Sequence, residues 1–122
     1  MEQITYFFDT YAIFEIFKQN PDYKKYIKCK CVLTALNLYE LYYNLRKEGH
    51  TKVLSENQMN LYLNKEVPID YEDIINASEL KLQNKQISIP DAIGYSVAKK
   101  MGIKFLTGDK EFKDMANVEF VR

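Results

Sequence analysis

Residues 86–109, "QISIPDAIGYSVAKKMGIKFLTGD", decide the fold. Pro90 disfavours helix in the residue before it, so Ile89 is expected to be extended and the helix to run from Pro90 to Met101. Gly102 then stops it. The apolar run Ile103–Leu106 reads as a short strand, and Thr107-Gly108-Asp109 turns the chain at its end. A helix feeding a strand that ends on a carboxylate is the unit from which the rest can be read.

The same alternation extends outward in both directions. Upstream, "QITYFF" (3–8) is β-branched and aromatic and reads as a buried strand. Asp9 caps a helix carrying Ile13, Phe14, Ile16 and Phe17. Asn20-Pro21-Asp22 starts a short helix through Tyr23–Lys28. "CVL" (31–33) is a second strand. Thr34–Lys47 is a long helix closed by Gly49, with Leu38, Leu41, Tyr42 and Leu45 as its stripe and Leu36, Tyr39 and Tyr43 widening it. Further helices are expected over Lys52–Leu63 and Tyr71–Leu82, with "EVPI" (66–69) as a short third strand between them. Downstream, "NVEFV" (117–121) is the last strand. Strands alternating with helices predict an α/β fold, a three-layer α/β/α sandwich with a mainly parallel central sheet. The expected organisation is one domain over residues 1–122.

Composition narrows the class. Hydrophobic residues make up 47% and charged residues 28%, which suits a globular protein. No apolar run is long enough to span a bilayer. "MEQITYFFDT" lacks a basic leader region and has an early Glu2, so a cytoplasmic location is expected. Seventeen basic and seventeen acidic side chains cancel, which argues against a broad basic nucleic-acid surface but leaves room for a local patch. Cys29 and Cys31 are expected on one face of a strand, reduced, and too close in sequence for a good disulfide. With His50 as the single histidine, a zinc site of the Cys/His kind and a two-histidine acid–base mechanism both lack residues.

Four carboxylates can meet at one end of such a sheet. Asp9 follows the first strand, Asp109 follows Ile103–Leu106, Asp91 lies in the first turn of its helix, and Glu40 sits a turn or more into the helix after Cys31–Leu33. Ligands bind beyond the carboxyl ends of parallel strands. Singly, each acid has an ordinary explanation: a cap for Asp9, a helix-dipole partner for Asp91, a turn residue for Asp109, a solvated Glu40 beside Asn37, Asn44 and Lys47. Together they would repel unless a divalent cation joined them. Hard oxygen donors suit Mg²⁺ or Mn²⁺, and the chemistry such a site does best is phosphodiester hydrolysis.

The joint pattern resembles the PIN-domain ribonucleases, above all the VapC-type toxins of toxin–antitoxin pairs, over nearly the whole chain. "FFDTYAIFEI" (7–16) is similar to the family's opening strand and first Asp, Asp9. "CVLTALNLYELYYNL" (31–45) resembles the strand, hydroxyl residue and helix that carry its Glu, Glu40. "ISIPDAIGYSVAKKMGIKFLTGDKEF" (87–112) matches the Pro-Asp helix start, the Ala-Lys-Lys helix end and the Thr-Gly-Asp-Lys-acid-Phe turn. The resemblance implies that Asp9, Glu40, Asp91 and Asp109 hold Mg²⁺ or Mn²⁺ and are catalytic. It implies supporting roles for Thr10, Thr107 and Glu111, and an RNA substrate cut to leave 5′-phosphates. It also implies a homodimer silenced by a small antitoxin. Two positions depart from the family pattern: Tyr11 replaces a small polar residue, and Asn37 replaces a hydroxyl residue.

"DYKKYIKCK" (22–30) offers Lys24, Lys25 and Lys28 for phosphates and two tyrosines for unpaired bases, and Lys110 adds a cation beside Asp109. Lys99, Lys100 and Lys104 read as plain surface. The wide apolar arc of Leu36–Leu45 suits an interface. Three other readings compete. A catalytically silent binding module on the same fold would bind no metal. An α/β phosphoacceptor domain would need paired acids before its first helix, which "QITYFF" lacks; a dehalogenase-type phosphatase would need an Asp where Tyr11 stands.

Overall fold

A computed structural model describes residues 3–122. Met1 and Glu2, on which the expectation about a leader partly rests, lie outside the described residues. Among those described, four strands and five α-helices alternate in the order β1 (Thr5–Phe8), α1 (Thr10–Phe17), β2 (Lys30–Val32), α2 (Ala35–Lys47), α3 (Lys52–Asn60), α4 (Tyr71–Gln83), α5 (Ile89–Met101), β3 (Lys104–Thr107) and β4 (Val118–Phe120). The strands form one parallel sheet in the order β2-β1-β3-β4, the middle layer of a three-layer α/β/α sandwich. No helix among the described residues is long and apolar enough to cross a membrane.

Burial follows from the topology. A central parallel strand is covered on both faces, and Tyr6, Phe7 and Phe8 are all buried. Phe7 pairs in register with Phe105, and their rings stack with centroids 5.6 Å apart. Helix α5 rests on these two rings. A Cβ on Gly94 would lie 2.6 Å from a ring carbon of Phe7 and 3.2 Å from one of Phe105, so glycine is what lets the helix approach. Every residue from Ala92 to Ala98 is buried. Gly102 ends the helix in the left-handed region, φ 69°. A polar clasp joins α4 to α5: Lys100 Nζ lies 2.8 Å from Asp70 and 2.7 Å from the buried Asp73, which also accepts from Ser96 Oγ at 3.2 Å. Lys100 is thus not plain surface, and Lys104 pairs with Glu119 at 3.7 Å.

Several sequence expectations need correction. "EVPI" is not a strand. Glu66 makes a single bridge to Leu33, Val67 N–H donates to Leu33 O at 2.8 Å, and Pro68 has no N–H with which to extend the pairing. The segment Pro21–Lys28 is a 3-10 helix rather than α. The helix expected to reach Leu63 ends at Asn60, and a 3-10 turn over Leu63–Lys65 follows. Ile89 is the first residue of α5 and is not extended; Ser88, φ −71° and ψ 160°, takes the capping position. Cys29 ends the 3-10 helix, so it does not share a strand face with the buried Cys31; both are free thiols. Burial pushes the Cys31 thiol up to about 12, which keeps it protonated and inert.

Candidate functional site

The site begins at a reversal of strand order. The chain leaves β1 towards β2 on one side and β3 towards β4 on the other, so a crevice opens at the carboxyl ends of the adjacent β1 and β3. Asp9 N–H donates to Leu106 O at 3.2 Å and carries the ladder one residue past β1. The Asp9 side chain is buried and caps α1, with Oδ1 accepting from Ala12 N–H at 2.8 Å. Its other oxygen, Oδ2, is buried with no hydrogen-bond partner, alone among the buried side-chain oxygens and nitrogens described. Buried polar atoms are paired as a rule, so an orphaned carboxylate oxygen marks a place that lacks something.

The other acids arrive from three separate elements. Asp109 follows β3; its N–H donates to Thr107 Oγ1 at 3.0 Å, and its Oδ1 accepts from Glu111 N–H at 3.0 Å. Asp91 lies in the first turn of α5, held where its N–H donates to Ser88 Oγ at 3.2 Å. Glu40 projects from the second turn of α2, and Thr10 Oγ1 donates to its Oε1 at 2.6 Å. That hydroxyl accepts from Asn37 Nδ2 at 3.2 Å, while Asn37 Oδ1 accepts from Thr34 N–H at 3.0 Å and from Thr34 Oγ1 at 3.1 Å. A chain of hydrogen bonds therefore runs from the start of α2 through α1 to Glu40. Asn37 is fully buried in it rather than lying on a polar surface with Asn44. Its signal in the sequence was the Thr-x-x-Asn spacing at the helix start, a variant of the capping box.

Electrostatics tie the four acids into one group. Asp91 is pushed up to about 7, first by burial and then by the charges of Glu40 and Asp109. Asp9 is held well above the usual carboxylate range, first by burial and then by Asp91, with Asp109 adding a smaller push. The Thr107 hydroxyl and Ala12 N–H ease the charge on Asp9 in part, yet Thr107 makes no hydrogen bond to Oδ2. Among the described residues no Lys or Arg ion-pairs with any of the four. The sequence-predicted carboxylates thus come within electrostatic reach of one another. No three Asp, Glu, His or Cys side chains among the described residues are already closed around a common point. Like charges without a counter-ion resist closer approach, and Asp9 and Asp109 each have one oxygen committed to a backbone N–H. The donor set is all oxygen, and a hard divalent cation would supply both missing parts: a partner for Oδ2 and the charge that lets Asp9 and Asp91 ionise.

The remaining candidates fall differently. Glu111 touches Asp109 through its N–H, while its carboxylate faces Asn84 Nδ2 at 3.5 Å. Lys110 is exposed on the turn after Asp109. Lys24, Lys25 and Lys28 are exposed around a surface hollow with Pro21 and Asp22. Tyr23 and Tyr26 beside them are not available to stack on bases. Both are buried, Tyr23 donating to Val121 O and Tyr26 to Glu119 Oε2 at 2.7 Å. Tyr11 packs its ring over Gly108, leaving no room there for a Cβ, and so braces the turn that places Asp109. His50 packs edge-on against Phe17, centroids 5.3 Å apart. Of the apolar arc on α2, Leu38, Leu41 and Leu45 belong to the core, and Tyr39 and Tyr43 are left outside.

Comparison with known proteins follows the same lines. The model of the PIN domain family matches residues 6–118. PIN domains are generally nucleases, and such nucleases generally use divalent metal ions. Among solved structures, a toxin–antitoxin complex from Klebsiella pneumoniae superposes with a TM-score of 0.73 at 16% identity, covering 93% of this chain and 94% of that one. VapBC2 from Rickettsia felis, bound to a DNA fragment from its promoter, gives a TM-score of 0.71 at 19% identity, with 97% and 98% covered. VapBC-1 from nontypeable Haemophilus influenzae gives 0.70 at 14% identity, with 97% of each chain covered. At these identities the likeness is one of fold. No curated protein sequence matches the chain significantly.

Proposed function

The chain belongs to the PIN domain family, and from that premise we propose that it is a one-domain, Mg²⁺- or Mn²⁺-dependent endoribonuclease, the toxin of a type II toxin–antitoxin pair. The observation that carries the metal site is Asp9 Oδ2, buried and unpartnered beside three further carboxylates with no counter-ion. Asp9, Glu40, Asp91 and Asp109 would hold the cation. When bound, a cation of this class lowers the pKa of water and offsets charge on phosphate oxygens.

The chain's own residues prepare that chemistry. Thr10 fixes the Glu40 carboxylate in one orientation, and Asn37 fixes Thr10. Thr107 and the Glu111 N–H hold the Asp109 turn. Asp91, with its pKa near neutrality, keeps a proton in the absence of a counter-ion and releases it when positive charge arrives. Lys110, together with Lys24, Lys25 and Lys28, supplies cations for the phosphates of an RNA strand.

Support for protein partners comes from an apolar groove. Leu36, Ile74, Leu82, Ile89 and Ile93 line an apolar groove of about 900 Å³ beside α4 and α5, and Ile74, Leu82 and Ile89 stand exposed on it. Exposed apolar side chains gathered along one groove suit an interface. A homodimer and a small antitoxin are the proposed occupants of surfaces of this kind, the latter in keeping with the toxin–antitoxin complexes that share the fold.

The test is cleavage of a labelled RNA by the purified chain. Activity should require Mg²⁺ or Mn²⁺, leave 5′-phosphates, cease in EDTA and be lost in Asp9→Asn and Glu40→Gln. Cleavage that survives chelation or either substitution would refute the proposal, and a protein that binds no metal would be the silent module instead.

A further inference from the structure

Two aromatic rings outside the acid cluster are unexplained by packing. Tyr39 and Tyr43 sit on the outer face of α2 with 66% and 51% of their surface exposed. One helical turn apart, their rings lie nearly coplanar in orientation, 5° between planes and 5.9 Å between centroids. They border a concavity of about 860 Å³ whose wall also carries Tyr42, Arg46, Lys52 and Glu56. Glu40 lies between them in sequence. Glu40 and Tyr43 are three apart on the helix, so their Cβ atoms are about 5–6 Å from each other. The tyrosines that the sequence offered for stacking, Tyr23 and Tyr26, are buried, and this pair is not.

We propose that Tyr39 and Tyr43 form a stacking platform for unpaired bases of a single-stranded RNA next to the cleaved bond, with Arg46 and Lys52 taking its phosphates. The location rests on the nuclease reading of the acid cluster. The choice of RNA over a protein partner rests on charge. Arg46 and Lys52 stand on the wall of the concavity against one acid there, Glu56, while Glu40 belongs to the acid cluster that the nuclease reading neutralises with a cation. A planar guanidinium can pair with phosphate through two donors or stack on a base. The more apolar of the two grooves lies beside α4 and α5. Parallel exposed rings accept any base by its π-face, so the platform would bind strands with little sequence preference.

The test uses the full chain in EDTA, where cleavage is blocked, and a fluorescent single-stranded oligoribonucleotide. The Tyr39→Ala/Tyr43→Ala variant should bind about tenfold more weakly than the native chain, the scale of losing a stacked base. The Tyr39→Phe/Tyr43→Phe variant should keep native affinity, because stacking needs the ring and not the hydroxyl. An abasic oligonucleotide should bind the native chain and the alanine variant equally. In Mn²⁺ the alanine variant should raise KM and leave kcat nearly unchanged. Equal affinity of native and alanine chains for the normal oligonucleotide would overturn the proposal. So would an unchanged affinity accompanied by a change in molar mass by light scattering, which would make the rings a protein contact. A native chain that binds with the expected differences yet never cleaves would sink the nuclease reading while upholding the platform.

Discussion

Asp9 does two things at once: one oxygen caps α1 and the other waits, buried, for a partner. Burial among like charges makes the cluster costly, and Asp91 shows the cost most clearly because its pKa is pushed up to about 7. In an unfolded chain the same carboxyl titrates near 4. Between those values the folded state holds more protons than the unfolded one, so stability is unpenalised below about pH 4 and falls as pH rises towards about 7. Asp91→Asn in EDTA should therefore melt about 5 °C above the native chain at pH 8, the difference closing towards pH 4, and should have no nuclease activity. Equal melting at pH 8 would contradict this. Thr10→Val should fold normally and lower metal affinity or cleavage about 10- to 100-fold, the usual cost of freeing a ligand from its supporting hydrogen bond. Titration calorimetry with Mn²⁺ measures it. At this scale the acids were legible because each sits at a fixed offset from a strand end or helix start. The link Asn37–Thr10–Glu40 was not, because a contact between residues 27 and 30 apart in sequence leaves no local trace.

The elements that position these residues were read well where periodicity was long and poorly where tertiary contacts decide. Helix α5 and strand β3 were plain, since a Pro near the helix start and a Gly at its end bracket a fully buried run. Pro90 proved compatible with a helical Ile89 because Ser88 takes over the extended capping conformation. "EVPI" has the composition of a strand, but Pro68 limits it to one bridge. The wide apolar arc of α2 could not be divided by sequence into core and surface; the structure sends Leu38, Leu41 and Leu45 inward and leaves Tyr39 and Tyr43 outside. The closeness of α5 to the sheet rests on Gly94. Gly94→Ala should push Phe7 or Phe105 off its place and destabilise the chain by about 1–3 kcal/mol, read from the urea midpoint. A gain in stability, as helix propensity alone would give, would mean that the contact is slack.

Across the whole molecule, strand order is what gathers the acids. In the order β2-β1-β3-β4 the two central strands deliver Asp9 and Asp109 to one crevice, and the starts of α2 and α5 bring Glu40 and Asp91 to it. Alternation of helix and strand made this fold class readable, and the closeness of the carboxylates followed from it. The absence of any neutralising Lys or Arg on them, among the described residues, needed the folded chain. A net charge of zero then hides a local cluster of carboxylates, and without a counter-ion the raised pKa of Asp9 and Asp91 relieves part of its charge. The most direct measurement is calorimetric titration of Mn²⁺ into the metal-free chain at pH 7.5, repeated with Asp9→Asn. Saturable binding with proton release in the native chain, abolished by the substitution, is the predicted result. No saturable binding, or binding that Asp9→Asn leaves unchanged, would contradict it.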